Sequence, residues 1–455
     1  MKKRIFLLLL LGAFMLSAGF GCKTVDKETK AAMEPVTLTY WRVIDDTDTF
    51  QPIIDAYRVL HPNVTVKYRK LRLEEYETEL LNALAEDRGP DILSIHNTWI
   101  RKYQSKLAPM PATITMAYPV EKGSIKKEIV TELRSIKSPT PKEIRETFVD
   151  AVPNDVVIDN QIYGLPLSVD TLALFYNRDL LNNAGIVQPP AFWNKEFQQN
   201  VKKLTKQDAS VGIVQSGIAL GGSKNIERFS DILSVLMMQN GATMMDGGRV
   251  LFNTIPAKNS GNNYNPGLEA LRFYIDFANP GKEVYSWNES LANSLELFAS
   301  GKLAMMFGYS YHLPAIKALS PKLNFSVAKL PQIEGSMVET NFANYWIESV
   351  SKKSQNPEAA WDFIIFATKE AQAKQYLEKT KKPTALRSLV TAQLEDDEIG
   401  VFASQVLTAK SWYQGKDAKS AEAALAEMID TASLNLDKIL EAINAGASKV
   451  QQTLE

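Results

Sequence analysis

Tyr163-Gly164-Leu165-Pro166-Leu167-Ser168-Val169-Asp170-Thr171 runs straight into Leu172-Ala173-Leu174-Phe175-Tyr176-Asn177, and this stretch decides the fold. Leu172 to Phe175 shows no polar alternation, which is the pattern of a strand buried on both faces. Arg178 to Ala184 then reads as a short helix that Gly185 stops. Beyond Pro189-Pro190, Trp193, Phe197, Val201 and Leu204 recur at helical spacing and make an apolar stripe. A buried strand followed by amphipathic helices opens an α/β unit near Val169. A chain of 455 residues leaves room for another unit in front of it.

That earlier unit is also legible. Val36-Thr37-Leu38-Thr39-Tyr40-Trp41 is rich in β-formers and predicts a strand. Thr47, Asp48 and Thr49 are N-cap candidates, and Phe50, Ile53, Ile54, Tyr57 and Leu60 share one helical face. His61-Pro62-Asn63 ends that helix, and Val64, Val66 and Tyr68 alternate as a second strand. A helix over 73–86 would bury Tyr76, Leu80, Leu81 and Leu84 before Gly89-Pro90, and Asp91 to Ile95 is a third strand. The β-α-β-α-β order predicts parallel strands with right-handed crossovers.

Between the two units, 105–155 is weakly patterned. A mixed-charge helix over 126–136 is expected there, on a solvated surface insertion to which no role is assigned. Further on, Leu291, Leu295 and Phe298 form a helical stripe ended by Gly301, and Leu303 to Phe307 is a short buried strand. Ala360, Phe363, Ile364 and Ala367 make another buried helical stripe, and Pro383 marks a loop.

The front of the chain says where it works. Met1-Lys2-Lys3-Arg4 is basic, Ile5 to Leu16 is apolar but short for a membrane span, and Ser17 to Gly21 supplies mostly small residues. Residues 1–21 therefore read as a signal peptide. Cys22, the one cysteine, follows at once and resembles the lipidation point of bacterial lipoproteins. Residues 22–35 then read as a lipid-anchored, flexible tether. No further long apolar run follows, so the body is expected outside the cytoplasm, held to a membrane by lipid alone. A formal net charge of -1 gives no reason to expect nucleic acid as a partner. No cofactor is called for.

Four blocks carry a resemblance to a known family. They are YGLPLSVDTLALFYNRDLLNNAGIVQPPAFW from Tyr163, FASGKLAMMFGYSYHLPAI from Phe298, NPEAAWDFIIFATKEAQAKQYL from Asn356 and KKPTALRSLV from Lys381. In this order they resemble the extracellular solute-binding proteins of ABC importers, the group that includes the maltose-binding protein. The resemblance implies an α/β, two-lobed periplasmic-binding-protein-like fold with the ligand cleft between the lobes. On that pattern lobe one holds 36–166 plus 331–379, and lobe two holds 167–330 plus 380–455. It further implies a monomer that binds a sugar or oligosaccharide, closes by hinge bending and delivers its ligand to an ABC permease.

A sugar offers C–H faces for stacking and hydroxyls that need paired donors and acceptors. Among 7 Trp, 16 Tyr and 19 Phe, those at strand ends or loops are Trp41, Trp99, Tyr309, Tyr311, Trp346, Trp412 and Tyr413. Asp45, Asp46, Asn97 and Asp170 are the polar partners, each after a predicted strand or at a lobe crossing. By resemblance, Asp170 and Trp412 match family positions that touch ligand. Two other readings stay open: a surface-anchored glycoside hydrolase working with paired carboxylates, and a metal binder using Tyr309, Tyr311 and His96. Against hydrolytic or phosphate chemistry, no His-Glu-x-x-His, Gly-x-Ser-x-Gly or phosphate-loop pattern occurs.

Overall fold

The structure, a computed structural model, describes residues 27–124, 127–261 and 263–455. The signal segment and Cys22 lie outside the described residues. Among those described, no helix is long and apolar enough to cross a membrane.

The first described element is a short helix, α1 (Lys27–Ala32), where an unstructured tether was expected. It packs on a two-stranded ribbon described below. Thr29 is buried there, and Asn63 Nδ2 donates to the carbonyls of Ala32 and Glu34 at 3.0 and 3.1 Å. These contacts supply what the polar sequence alone does not, a surface on which a single helical turn can settle.

β1 (Val36–Val43), α2 (Thr47–Leu60), β2 (Val64–Leu71), α3 (Leu73–Ala85) and β3 (Ile92–His96) follow in the expected order. β1 pairs parallel with both β2 and β3. The insertion is a long antiparallel ribbon of β4 (Thr113–Lys122) and β5 (Glu128–Lys137). Where a mixed-charge helix was expected over 126–136, the chain from Glu128 on is therefore a strand. Ten cross-strand pairs, from Thr113↔Lys137 to Lys122↔Glu128, outweigh a helical pattern that had no apolar face of its own to bury. A short helix, α4 (Ala151–Val156), leads out of this region.

The stretch around Asp170 forms β6 (Asp170–Thr171) and β7 (Ala173–Asn177). β7 is the central strand of a small sheet, antiparallel to β8 (Met305–Gly308) and to β9 (Phe325–Lys329). Between them in sequence lies α5 (Phe229–Gln239), buried along most of its length. The chain returns through β10 (Asn341–Asn344) and β11 (Trp346–Ser351), then α6 (Pro357–Ala367), and later β12 (Ala409–Lys410). β11 joins the first sheet antiparallel to β3, giving the order β2-β1-β3-β11 with an edge segment at Leu107–Ala108. β12, β10 and β6 make a three-stranded sheet of their own.

Two hydrophobic cores result, one for each lobe. The first draws on residues within 38–169 and 343–409, the second on residues within 172–342 and 402–450. The cores divide the chain at other points than the expected lobe boundaries. Phe342 packs in the second core, whereas Leu167, Val169, Ala385, Leu386, Val406 and Ala409 pack in the first. The small β12-β10-β6 sheet sits where the chain passes from one core to the other.

Candidate functional site

Asp170 stands at the head of the strand that leads into the second core. β8 lies beside that strand, and its last residue, Gly308, pairs with Ala173. A Cβ on Gly308 would sit 2.9 Å from His312 Nδ1, so glycine is what lets the chain fold back tightly there. The turn that follows delivers Ser310 to Asp170: its amide and its Oγ both donate to Asp170 Oδ2, at 2.9 and 2.6 Å. The Thr171 amide donates to Oδ1 at 2.9 Å. All three donors are neutral. Burial pushes the Asp170 carboxyl up to about 6, against the pull of these hydrogen bonds.

The same turn carries Tyr309 and Tyr311. Tyr309 is fully buried, and its hydroxyl donates to Asp231 Oδ2 at 2.7 Å. Arg228 Nε and Nη2 donate to that oxygen at 2.8 and 2.7 Å, and the guanidinium lies 5.9 Å from the centre of the Tyr309 ring. Tyr311 stacks on Tyr309 at 5.7 Å and on His312 at 4.3 Å, yet is 42% exposed. The Tyr309 amide donates to His312 Nδ1 at 2.9 Å, which puts the ring proton on Nε2, 2.9 Å from Glu227 Oε2. The buried histidine thus ties the Tyr309–Tyr311 turn to the residue before Arg228.

His96 ends β3 in the first lobe. In the β3–β11 ladder it pairs with Trp346. Trp346 and Trp99 meet edge to face at 5.5 Å, and the His96 ring lies 5.6 and 6.3 Å from them. Burial first, and then the positive charge of Arg228, lower the His96 imidazole to about 4, while Asp231 and a hydrogen bond with Asn344 oppose them. His96 is therefore neutral at pH 7.

A second group of polar contacts lies where the chain passes between lobes. The buried carboxylate of Asp155 accepts from Tyr345 Oη at 2.5 Å, Ser411 Oγ at 2.6 Å and Asn97 Nδ2 at 3.2 Å. With only neutral donors in contact, burial raises it to about 6. Ser411 precedes Trp412, whose Nε1 donates to Ser234 Oγ at 3.0 Å. Ser234 follows Asp231 by one turn of α5, so Trp412 and the Arg228–Asp231 pair are neighbours along that helix. Trp412 is largely buried and lines a pocket of about 400 Å³ with Asn154 from the first lobe and Met238, Met245 and Lys410.

The expected residues are thus gathered unevenly. Asp170, Tyr309 and Tyr311 form one cluster; Trp99, Trp346 and His96 form another, joined to it where Asn344 pairs with Asp170; and Asn97 and Trp412 are linked through Asp155 and Ser411. Asp45 has its carboxylate taken up by Lys382 at 2.6 Å, Tyr376 Oη at 2.9 Å and Arg42 at 3.2 Å. Asp46 is exposed and pairs with Lys70 at 2.8 Å. Trp41 is buried under the Arg69 guanidinium, and Tyr413 donates to Thr453 Oγ1 at 2.8 Å. Sequence reasoning missed Arg228, Asp231, Asp155 and Ser310. One signal was available: Asp231 and Ser234 are polar positions in a helix whose other members after Ser230 are apolar as far as Gln239.

Residues 43–374 match the family model described as bacterial extracellular solute-binding protein. The galactooligosaccharide-binding protein of Bacillus subtilis is 25% identical over 253 residues, 54% of this chain and 55% of that protein. The maltodextrin-binding protein MdxE of the same organism is 26% identical over 250 residues, 53% and 54% of the two chains. The chain thus spans about half the length of the curated relatives it matches. Among solved structures, the cyclic α-maltosyl-1,6-maltose binding protein of Arthrobacter globiformis superposes with a TM-score of 0.71 at 20% identity, over 92% of this chain and 99% of that one. A cyclo/maltodextrin-binding protein complexed with maltotetraose gives 0.69 at 16%, over 93% and 98%. These likenesses fix the two-lobed α/β fold.

Proposed function

From the premise that this chain belongs to the bacterial extracellular solute-binding proteins, we propose that it is the carbohydrate-binding component of an ABC importer, holding a sugar or oligosaccharide between its lobes for a permease. As a member of that family it works outside the cytoplasm. One observation carries the sugar reading: Asp170 pairs with Asn344 two residues before Trp346, which pairs with His96, so the second lobe's Asp170 turn and the first lobe's His96–Trp99–Trp346 cluster meet at one lobe crossing. Exposed aromatic faces suit the C–H surfaces of a pyranose, and carboxylates already held by neutral donors retain lone pairs for hydroxyls. The names of the Bacillus relatives, galactooligosaccharide- and maltodextrin-binding, agree with this chemistry.

In this reading Asp170, Tyr311, Trp99, Trp346 and Trp412 contact ligand, and Asn97 and Tyr309 hold the groups that do. Asp45 fixes the crossing loop of Lys382 to the end of β1, and Asp46 stays at the rim. Ligand touches both lobes only when they are closed, so it favours the closed population. The β12-β10-β6 strands are the hinge, and a lipid on Cys22 holds the body at the membrane.

A thermal-shift screen of the mature protein against mono- and oligosaccharides, amino acids, polyamines and metal ions tests the ligand class, since a ligand selective for the folded state raises Tm. A rise with sugars alone supports the reading. A rise with amino acids, polyamines or metal ions alone overturns it. Cys22→Ser should release the body from the membrane fraction, and unchanged association would sink the lipid anchor.

A further inference from the structure

Ile44 has a backbone that isoleucine resists. Its φ is 71°, and among the described non-glycine residues at positive φ it alone is β-branched; the others are Asp, Asn, Arg and Lys. The Asp45 amide donates back to the Val43 carbonyl at 2.8 Å, closing a three-residue turn with Ile44 at its centre. With φ positive, this is the rare and strained form of that turn. Glycine or asparagine would make it at lower cost.

The strain is held from the next residue. Tyr68 Oη donates to the Asp45 carbonyl at 2.6 Å, while Lys382, Tyr376 and Arg42 grip the Asp45 carboxylate. Core packing does not explain the isoleucine, because it is 45% exposed. Its position does point somewhere. In the parallel β1–β3 register Tyr40 pairs with Ile92 and Trp41 with Leu93. β1 ends at Val43 and its parallel neighbour β3 at His96, so Ile44 leaves the carboxyl end of the sheet beside the His96 end, where open α/β sheets bind ligands.

We infer that Ile44 is a specificity-determining contact of the carbohydrate site, presenting an aliphatic surface from lobe one to the C–H face of a sugar between the lobes. This rests on the carbohydrate reading above. The turn is kept strained because its central side chain is used.

The test compares the parent with Ile44→Gly and Ile44→Val in the mature protein, by calorimetric titration with maltotetraose, mannobiose and D-tagatose and by thermal melting. Ile44→Gly should raise Tm by about 2–4 °C as the strain is released, yet weaken binding about tenfold as the apolar contact is lost. Ile44→Val, which keeps the branch, should hold affinity within about threefold and leave Tm near the parent. Equal affinity in parent and Ile44→Gly overturns the inference, and so does an affinity loss that comes with a lower Tm. A parent that binds none of the three sugars counts against the carbohydrate reading itself, a result distinct from either.

Discussion

Asp45 and Asp170 each follow or open a strand beside the inter-lobe space, but their surroundings differ. Asp45 lies among charges: Arg42 and Lys382 grip it, and Arg42 also reaches Glu348 Oε1 at 3.4 Å. Burial alone would raise its pKa, but those cations outweigh it and hold the carboxyl below its ordinary value. Asp170 meets only amides and a hydroxyl, and burial carries it up to about 6. A buried carboxylate with cations is committed, because losing it strands them. One held by neutral donors keeps acceptor capacity and stays poised to titrate. Carboxylates that neighbour the same space therefore divide into a fastening and a binding group.

The largest expected effect falls on the fastening. Asp45→Ala should cost about 3–5 kcal/mol of stability, because Lys382 loses its carboxylate partner and Arg42 keeps only Glu348. Chemical denaturation would measure it, and a loss under about 1 kcal/mol would erase the distinction. Trp412→Ala belongs on the same side. With its indole largely buried in the second core and bonded to Ser234, about 3–5 kcal/mol of stability should go with it. Only Trp412→Phe, which leaves most of the packing, can isolate a role in binding.

Asp155 gives a middle-sized effect with a definite sign. Its pKa is about 6 in the folded protein, above the ordinary carboxyl value of 3.8, so the native state binds its proton more tightly than the unfolded chain does. Stability from this group is fully present below pH 4 and is lost as pH rises through 6. The loss is about 3 kcal/mol at most. Asp155→Asn should flatten the Tm profile between pH 4 and 7. A profile as steep as the parent's would mean that Asp155 is not the source of the slope.

The smallest effect is on affinity. Asp170→Asn keeps the shape of the carboxyl but loses its charge, and should weaken sugar binding by about 1–2 kcal/mol. Hydroxyl donors favour the ionised form, so affinity in the parent should fall as pH drops below about 6. Isothermal titration at pH 5 and pH 7.5 checks both, and a pH-independent affinity would place Asp170 outside the contact.

Much of the fold was legible because local pattern and tertiary burial agree. The helical face of Phe50, Ile53, Ile54 and Tyr57 and the apolar run of Leu172 to Phe175 are buried as read. The span 126–136 was not, since the strand from Glu128 is fixed by pairing across a turn with Thr113–Lys122 rather than by an apolar period of its own. The site was half legible. Asp170 and Tyr311 stand at strand ends, where period and breakers mark them. Arg228 and Asp231 owe their place to the α5 start packing beneath Tyr309, a contact 78 residues away for Asp231 that no local spacing records. Asp45 shows the converse: its position after a strand was read correctly, but the cations that claim it come partly from Lys382, far along the chain.

Helix α1 changes the scale of the leash. With Lys27 onward fastened to the ribbon, a lipid on Cys22 would be joined to the body by five residue steps, at most about 18 Å. The protein would then ride close above the bilayer, and on the proposed importer reading a search for a permease would become a walk in a plane. Confinement to so thin a layer raises the local concentration of receptor at the transporter without any added contact between the two. Lengthening the segment before Lys27 would dilute the pair, so uptake at low sugar concentration would report the length of a helix six residues long.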